Sequence, residues 1–183
     1  SYKKAVFYTG NLSFYNKVKR DAAEAAYWNE NRTERKITMK LTNQEQVLAA
    51  ARAGAKKYAA EQLELLRKFS AIDCGSRDEE GNLKVVEILE DLLRTIPGIT
   101  LERRYFEGYG INLIARLKPE NPDGKIILNA HTDTVFHRGD TEKYPMRIEG
   151  DTAYGLGIID CKGGILVAIY GVKIMQEQGL LPN

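Results

Sequence analysis

The stretch KIILNAHTDTVF, residues 125–136, constrains this chain more than any other. Its apolar run is bounded upstream by the turn-forming PENPDG and downstream by the polar HTDT. A run this short suits a strand rather than a helix. Because it does not alternate, it reads as a strand buried on both faces, in the centre of a sheet. The polar residues that follow then lie at the C-terminal end of that strand, where α/β sheets gather their ligands.

The pattern on either side fits such a sheet. Thr42 and Glu45 form a T-x-x-E capping box, and Val47, Leu48, Ala51, Ala55, Tyr58, Ala59, Leu63, Leu66 and Phe69 follow at helical spacing to about residue 70. A turn-rich segment, 70–82, precedes a second amphipathic helix whose apolar face is Val85, Leu89, Leu92, Leu93 and Ile96; Pro97-Gly98 stops it. Strand-like runs follow at 99–106 and 111–117, ahead of 125–130. MRIEGDTAYG, 146–155, reads as a hairpin turning at Gly150-Asp151, and a last helix spans about 163–178 with Gly179 as its cap. This order implies an α/β sandwich. Upstream, the Ala-rich stretch 14–30 reads as helical and 31–40 as a linker or short strand, which divides the chain into an extension at 1–45 and a domain at 46–183.

Composition narrows the function classes. With 43% hydrophobic and 28% charged residues, the 183-residue chain suits an ordinary globular core. A net charge of +2 is too small to argue for nucleic acid, although residues 1–45 are locally basic, with nine Lys/Arg against five Asp/Glu. Two distant cysteines, Cys74 and Cys161, are neither a disulfide framework nor a zinc-finger pattern and read as free thiols in a reducing, cytoplasmic setting. No apolar run is long enough to span a membrane, and SYKKAVFYTG lacks the apolar core of a secretion signal.

Two segments carry chemistry. In HTDTVF, the His131 imidazole can bind a metal while Asp133, two residues on, orients its other ring nitrogen, although an H-x-D pair taken alone is more often a loop hydrogen bond. In GLGIIDCKGG, Asp160 stands just before a glycine pair that opens a helix, where glycines permit close approach and positive φ. A phosphate-binding loop is the competing reading of the glycines, but neither G-x-x-x-x-G-K-[ST] nor G-x-G-x-x-G is present.

Together and in this order, these segments resemble the M20 family of co-catalytic zinc peptidases, most closely its glutamate carboxypeptidase branch. The resemblance runs from about Leu63 to Asn183 and takes in the IDCGSRDEEGN turn, the strand before His131, the PMRIEGDTAYGLGIID hairpin and the final helix. It implies a three-layer αβα zinc-exopeptidase-like domain with two zinc ions in the complete site, a complement expected to be incomplete or absent in this chain. His131 would be a terminal ligand of one ion, Asp160 the carboxylate bridging both, and Asp133 the catalytic carboxylate behind His131. It also implies a cis peptide between Asp160 and Cys161, with the Cys161 thiol structural.

The resemblance further implies a second His, more carboxylate ligands and a Glu general base from a Glu-Glu pair on a later strand. Glu177 is the sole acidic residue after Asp160, Glu79-Glu80 lies in a polar turn before His131, and His137 is the only other His. The chain is therefore expected to be an incomplete domain, lacking the C-terminal half and the lid and dimerisation domain, and to be inactive alone. The full-length parent is expected to hydrolyse a peptide or an N-acyl amino acid, as a metallopeptidase in which a zinc-activated water attacks the amide carbonyl, and to form a homodimer. Aminoacylase or deacetylase chemistry on the same residues is the alternative. A non-catalytic binding module of the same fold is the reading from another class, against which the three intact residues His131, Asp133 and Asp160 argue.

Overall fold

Both helical periodicities in the first half become helices. The computed structural model describes residues 5–10, 44–117 and 126–181; the stretches 14–30 and 31–40, and Thr42 of the capping pair, lie outside them. Helix α1 (Gln44–Ser70) is mostly solvated and reaches the core through Tyr58 and Phe69. Helix α2 (Glu79–Arg94) starts at Asp78, whose carboxylate accepts the Gly81 N–H at 3.1 Å, a side-chain N-cap. Its apolar face is buried as the spacing predicts: Val85, Leu89 and Leu93 are each fully covered.

Strands β2 (Ile99–Phe106) and β3 (Gly110–Leu117) pair antiparallel through a tight turn, with Gly108 and Gly110 at positive φ. Strand β1 (Ala5–Gly10) lies antiparallel to β3 and parallel to β4 (Ile127–His131), so the sheet order is β2-β3-β1-β4. The register sets Gly10 opposite His131. Six residues of the segment read as an extension thus share a sheet with the rest of the chain.

This insertion corrects the placement of the apolar run. β4 is a marginal strand of the described sheet, with Ile126 and Ile127 51% and 60% exposed. Leu128 and Ala130 pack against the core as expected of a buried strand, but the inner position beside β3 is taken by β1.

The final helix, called α4 here (Gly163–Glu177), closes the core. Its Ile165, Leu166, Ile169 and Tyr170 meet the α2 face and Leu113, Ala115 and Leu117 of β3, alternate residues on one face of the sheet. Each fully buried Leu or Ile of this cluster contributes about 1.5–3 kcal/mol of apolar transfer. Helix α1 packs on α4 at Gly54, where a Cβ would come within 2.5 Å of the Ile174 side chain. Glu177 at the end of α4 takes hydrogen bonds from Lys57 and Tyr58 of α1. Before α4 come the short helix α3 (Asp140–Lys143) and the hairpin β5 (Arg147–Glu149) and β6 (Thr152–Tyr154), which turns at Gly150 as the sequence predicts. The fold is thus α/β; of a three-layer arrangement, the described residues contain the sheet and the helices over one face. Among the described residues, no helix is long and apolar enough to cross a membrane.

Candidate metal centre

His131 is the last residue of β4, so the strand fixes its backbone and the loop after it sets its ring. That loop is tied to the turn after α1: the Thr134 N–H donates to the Cys74 carbonyl at 2.8 Å, and Thr134 bridges Gly75. The Gly75 position admits no side chain, since a Cβ would lie 2.8 Å from the Phe136 carbonyl oxygen. Asp73 holds the far end of the loop, accepting the N–H groups of Gly139 at 2.6 Å and Thr141 at 3.1 Å. The Gly139 N–H is the main reason its carboxyl stays below the usual carboxylate range.

The His131 Nδ1 lies 2.9 Å from the Asp133 carbonyl oxygen and 3.5 Å from the Asp133 carboxylate. Asp133 is buried and accepts a 2.5 Å hydrogen bond from Ser76 Oγ, so a chain from Ser76 through Asp133 fixes the imidazole. The carbonyl contact assigns the ring proton to Nδ1 and leaves the Nε2 lone pair facing outward.

Asp160 comes from a kinked turn, Ile158–Lys162, that leads into α4; Asp160 (φ −119°, ψ 90°) and Cys161 (φ −135°, ψ 30°) are out of helical conformation. The peptide from Asp160 to Cys161 is cis. The turn depends on Gly157, which has a φ of +70° and would place a Cβ 2.7 Å from the Thr134 side chain. Lys162 anchors the turn: its side chain is buried, and Nζ donates to the carbonyls of Phe69 at 2.7 Å and Ile72 at 3.2 Å. Asp160 itself is exposed, with Oδ1 2.9 Å from His131 Nε2. Cys161 Sγ donates to the His131 carbonyl at 3.1 Å.

Two lone pairs cannot face each other at 2.9 Å without a cation between them. In the metal-free protein that cation is a proton: the Asp133 carboxylate first, then Cys161 and Asp160, push the His131 pKa up to about 11. A metal ion fits the same place. Atoms of ligating type on His131, Asp160 and Cys161 all lie within 4.8 Å of one another, a group that could hold a metal ion. A cavity of about 240 Å³ opens in front of them, lined by His131, Asp133, Phe136, Gly157 and Asp160 among others.

The structure thus brings together His131, Asp133 and Asp160. It leaves apart His137, whose backbone N–H bonds Asp140. It also leaves apart Glu177, which is tied to α1, and Glu80, which pairs with Lys84 and Arg138. Ser76 and Lys162 were not evident as supports of the site. For Lys162 a signal exists, a lone cation within the apolar IIDCKGGILV; for Ser76 in its polar turn there is none.

Residues 127–183 match the model of peptidase family M20/M25/M40. Carboxypeptidase G2 of Pseudomonas sp. (strain RS-16) is 36% identical over 121 residues, which cover 64% of this chain and 28% of that protein. The chain therefore spans a little over a quarter of the length of this relative.

Proposed function

We propose, from the match of residues 127–183 to the model of peptidase family M20/M25/M40, that the protein this chain belongs to is a zinc-dependent hydrolase of a peptide or amide bond, in the manner of a glutamate carboxypeptidase. The observation that carries the reading is the 2.9 Å approach of His131 Nε2 to Asp160 Oδ1, two metal-ligating atoms with room for substrate in front. His131 and Asp160 would be the ligands that this chain contributes to a site for two ions. Zinc bound there supplies Lewis acidity toward the amide carbonyl and makes a nucleophile of water at neutral pH.

The chain's own residues organise that chemistry. Asp133 and its carbonyl hold a proton on Nδ1 and so leave Nε2, which faces Asp160, as the ring atom that would meet a metal. Ser76 in turn holds Asp133 in one rotamer through their hydrogen bond. The exposed Asp160 carboxylate offers two oxygens, which suits a bridging role. The substrate is a peptide or N-acyl amino acid, received in the cavity that Phe136 and Gly157 help to line. The free thiols Cys74 and Cys161 suit a reducing, cytoplasmic setting.

The test is zinc affinity by competition with a chromophoric chelator. His131→Ala and Asp160→Asn should each abolish measurable binding, and Asp133→Asn should weaken it about 10–100-fold. Zinc retained at wild-type affinity by His131→Ala would remove the basis of the proposal.

A further inference from the structure

Asn82 is a buried polar residue that the chemistry above does not use. It stands in the first turn of α2 and is 5% exposed. Its side-chain Nδ2 donates to the carbonyls of Gly75 and Asp78, each at 2.9 Å. Two carbonyl partners identify that end of the amide as the nitrogen, so Oδ1 faces Thr132 Oγ1, 3.4 Å away. Helix and turn are pressed together here: a Cβ on Gly81 would lie 1.8 Å from the Asp73 carbonyl oxygen.

What the amide holds is the turn that carries Ser76. Gly75 and Asp78 are the two ends of that turn, and Ser76 between them donates to Asp133 behind His131. On its other side the amide meets Thr132, the residue between His131 and Asp133. One side chain thus touches both the loop that bears Asp133 and the turn that supports it. Neither carbonyl depends on Asn82 Nδ2 for a partner. The Asp78 N–H reaches Gly75 at 2.8 Å, and the Asn82 N–H reaches Asp78 at 2.9 Å. The side chain is therefore not needed to close the turn or to start the helix. What it adds is direction, since a buried amide with both donors engaged fixes the groups it binds in one arrangement.

We propose that Asn82 is a positioning residue for the metal centre, acting through Ser76 on Asp133 and so on the His131 ring. The inference rests on reading His131 and Asp160 as metal ligands.

The experiment uses the whole chain and zinc competition with a chelator. Asn82→Leu keeps most of the volume and removes both donors. It should bind zinc about tenfold more weakly, the lower end of what outer partners of a ligating histidine supply. Ser76→Ala should lose about as much. The double variant should lose about tenfold in all and not about a hundredfold, because both residues act through one hydrogen bond. Leu92→Ala, a cavity near the other end of the same helix, is the control for a merely structural effect. It should lower the urea midpoint and keep wild-type zinc affinity. In the zinc-bound, isotopically labelled chain, the His131 Nδ1 proton should shift the same way in Asn82→Leu as in Ser76→Ala, and stay in place in Leu92→Ala. A folded Asn82→Leu with wild-type affinity overturns the proposal, and so does a double variant weakened about a hundredfold. Asn82→Ala replaces a leucine variant that does not fold; failure of both to fold means that the residue holds the helix and not the centre, which also overturns it. A wild type without zinc affinity overturns the metal-centre reading itself.

Discussion

Replacing Lys162 with Met tests which of two large opposing effects governs the turn beneath the metal centre. The Lys162 side chain is 1% exposed, and its ammonium spans the carbonyls of Phe69 and Ile72, at the end of α1 and just beyond it. Met keeps most of the stem's volume and removes the charge. The Phe69 carbonyl keeps one partner, the Ile72 N–H at 3.2 Å, whereas no other partner of the Ile72 carbonyl is seen among the described residues. Leaving that acceptor bare costs about 1–3 kcal/mol, and losing a charge-assisted bond to the other costs about 1.5–3 kcal/mol. Against this stands the desolvation of a buried ammonium, which the substitution relieves. Two bonds at 2.7 and 3.2 Å to helix-end carbonyls, where the helix dipole favours a cation, tip the balance toward the lysine. The expected net loss is about 2–4 kcal/mol, a sizeable share of a typical domain's ~5–15 kcal/mol. Urea unfolding of wild type and Lys162→Met should show the midpoint falling at unchanged slope. A variant as stable as the wild type, or more so, would mean that desolvation outweighs the two bonds and would refute the anchoring role.

Two further outcomes follow from the same geometry. Gly157→Ala forces a side chain into a left-handed backbone and against Thr134 at 2.7 Å; it should cost about 1–3 kcal/mol and lower Tm by several degrees in calorimetry, and an unchanged Tm would show that the turn relaxes. In the metal-free chain, the His131 imidazole should keep its proton up to about pH 11, because the Asp133 carboxylate raises its folded pKa above the ordinary 6.5. Its contribution to stability is then complete below about 6.5 and is lost as pH rises from there through about 11. An NMR titration of the ring protons with a midpoint near 6.5 would contradict this.

Local signals were legible in the sequence because short-range physics decides them. The periodic face of Val85, Leu89 and Leu93 and the hairpin turn at Gly150 need only their neighbours, and both are found as read. His131 and Asp160, 29 residues apart, could be paired only through the family resemblance, since a packed glycine turn and a buried lysine bring them together. The apolar run at β4 announced a need for cover without saying where the cover comes from. AVFYTG in β1 has the β-branched and aromatic composition of a strand, yet nothing local shows that it slots between β3 and β4. Ser76 was equally silent, because a hydroxyl in a polar turn reads as solvated until Asp133 is seen beside it.

The position of β1 also sets an order of assembly. The β2–β3 hairpin closes a loop of a few residues and forms on local contacts. Among the described residues β4 pairs with β1 alone, about 120 residues away in sequence, and such distant pairings form slowly. β4 is therefore expected to dock late and His131 with it, so that in pulse-labelled exchange during refolding the amides of Ile127–His131 should gain protection after those of Leu101–Ile114.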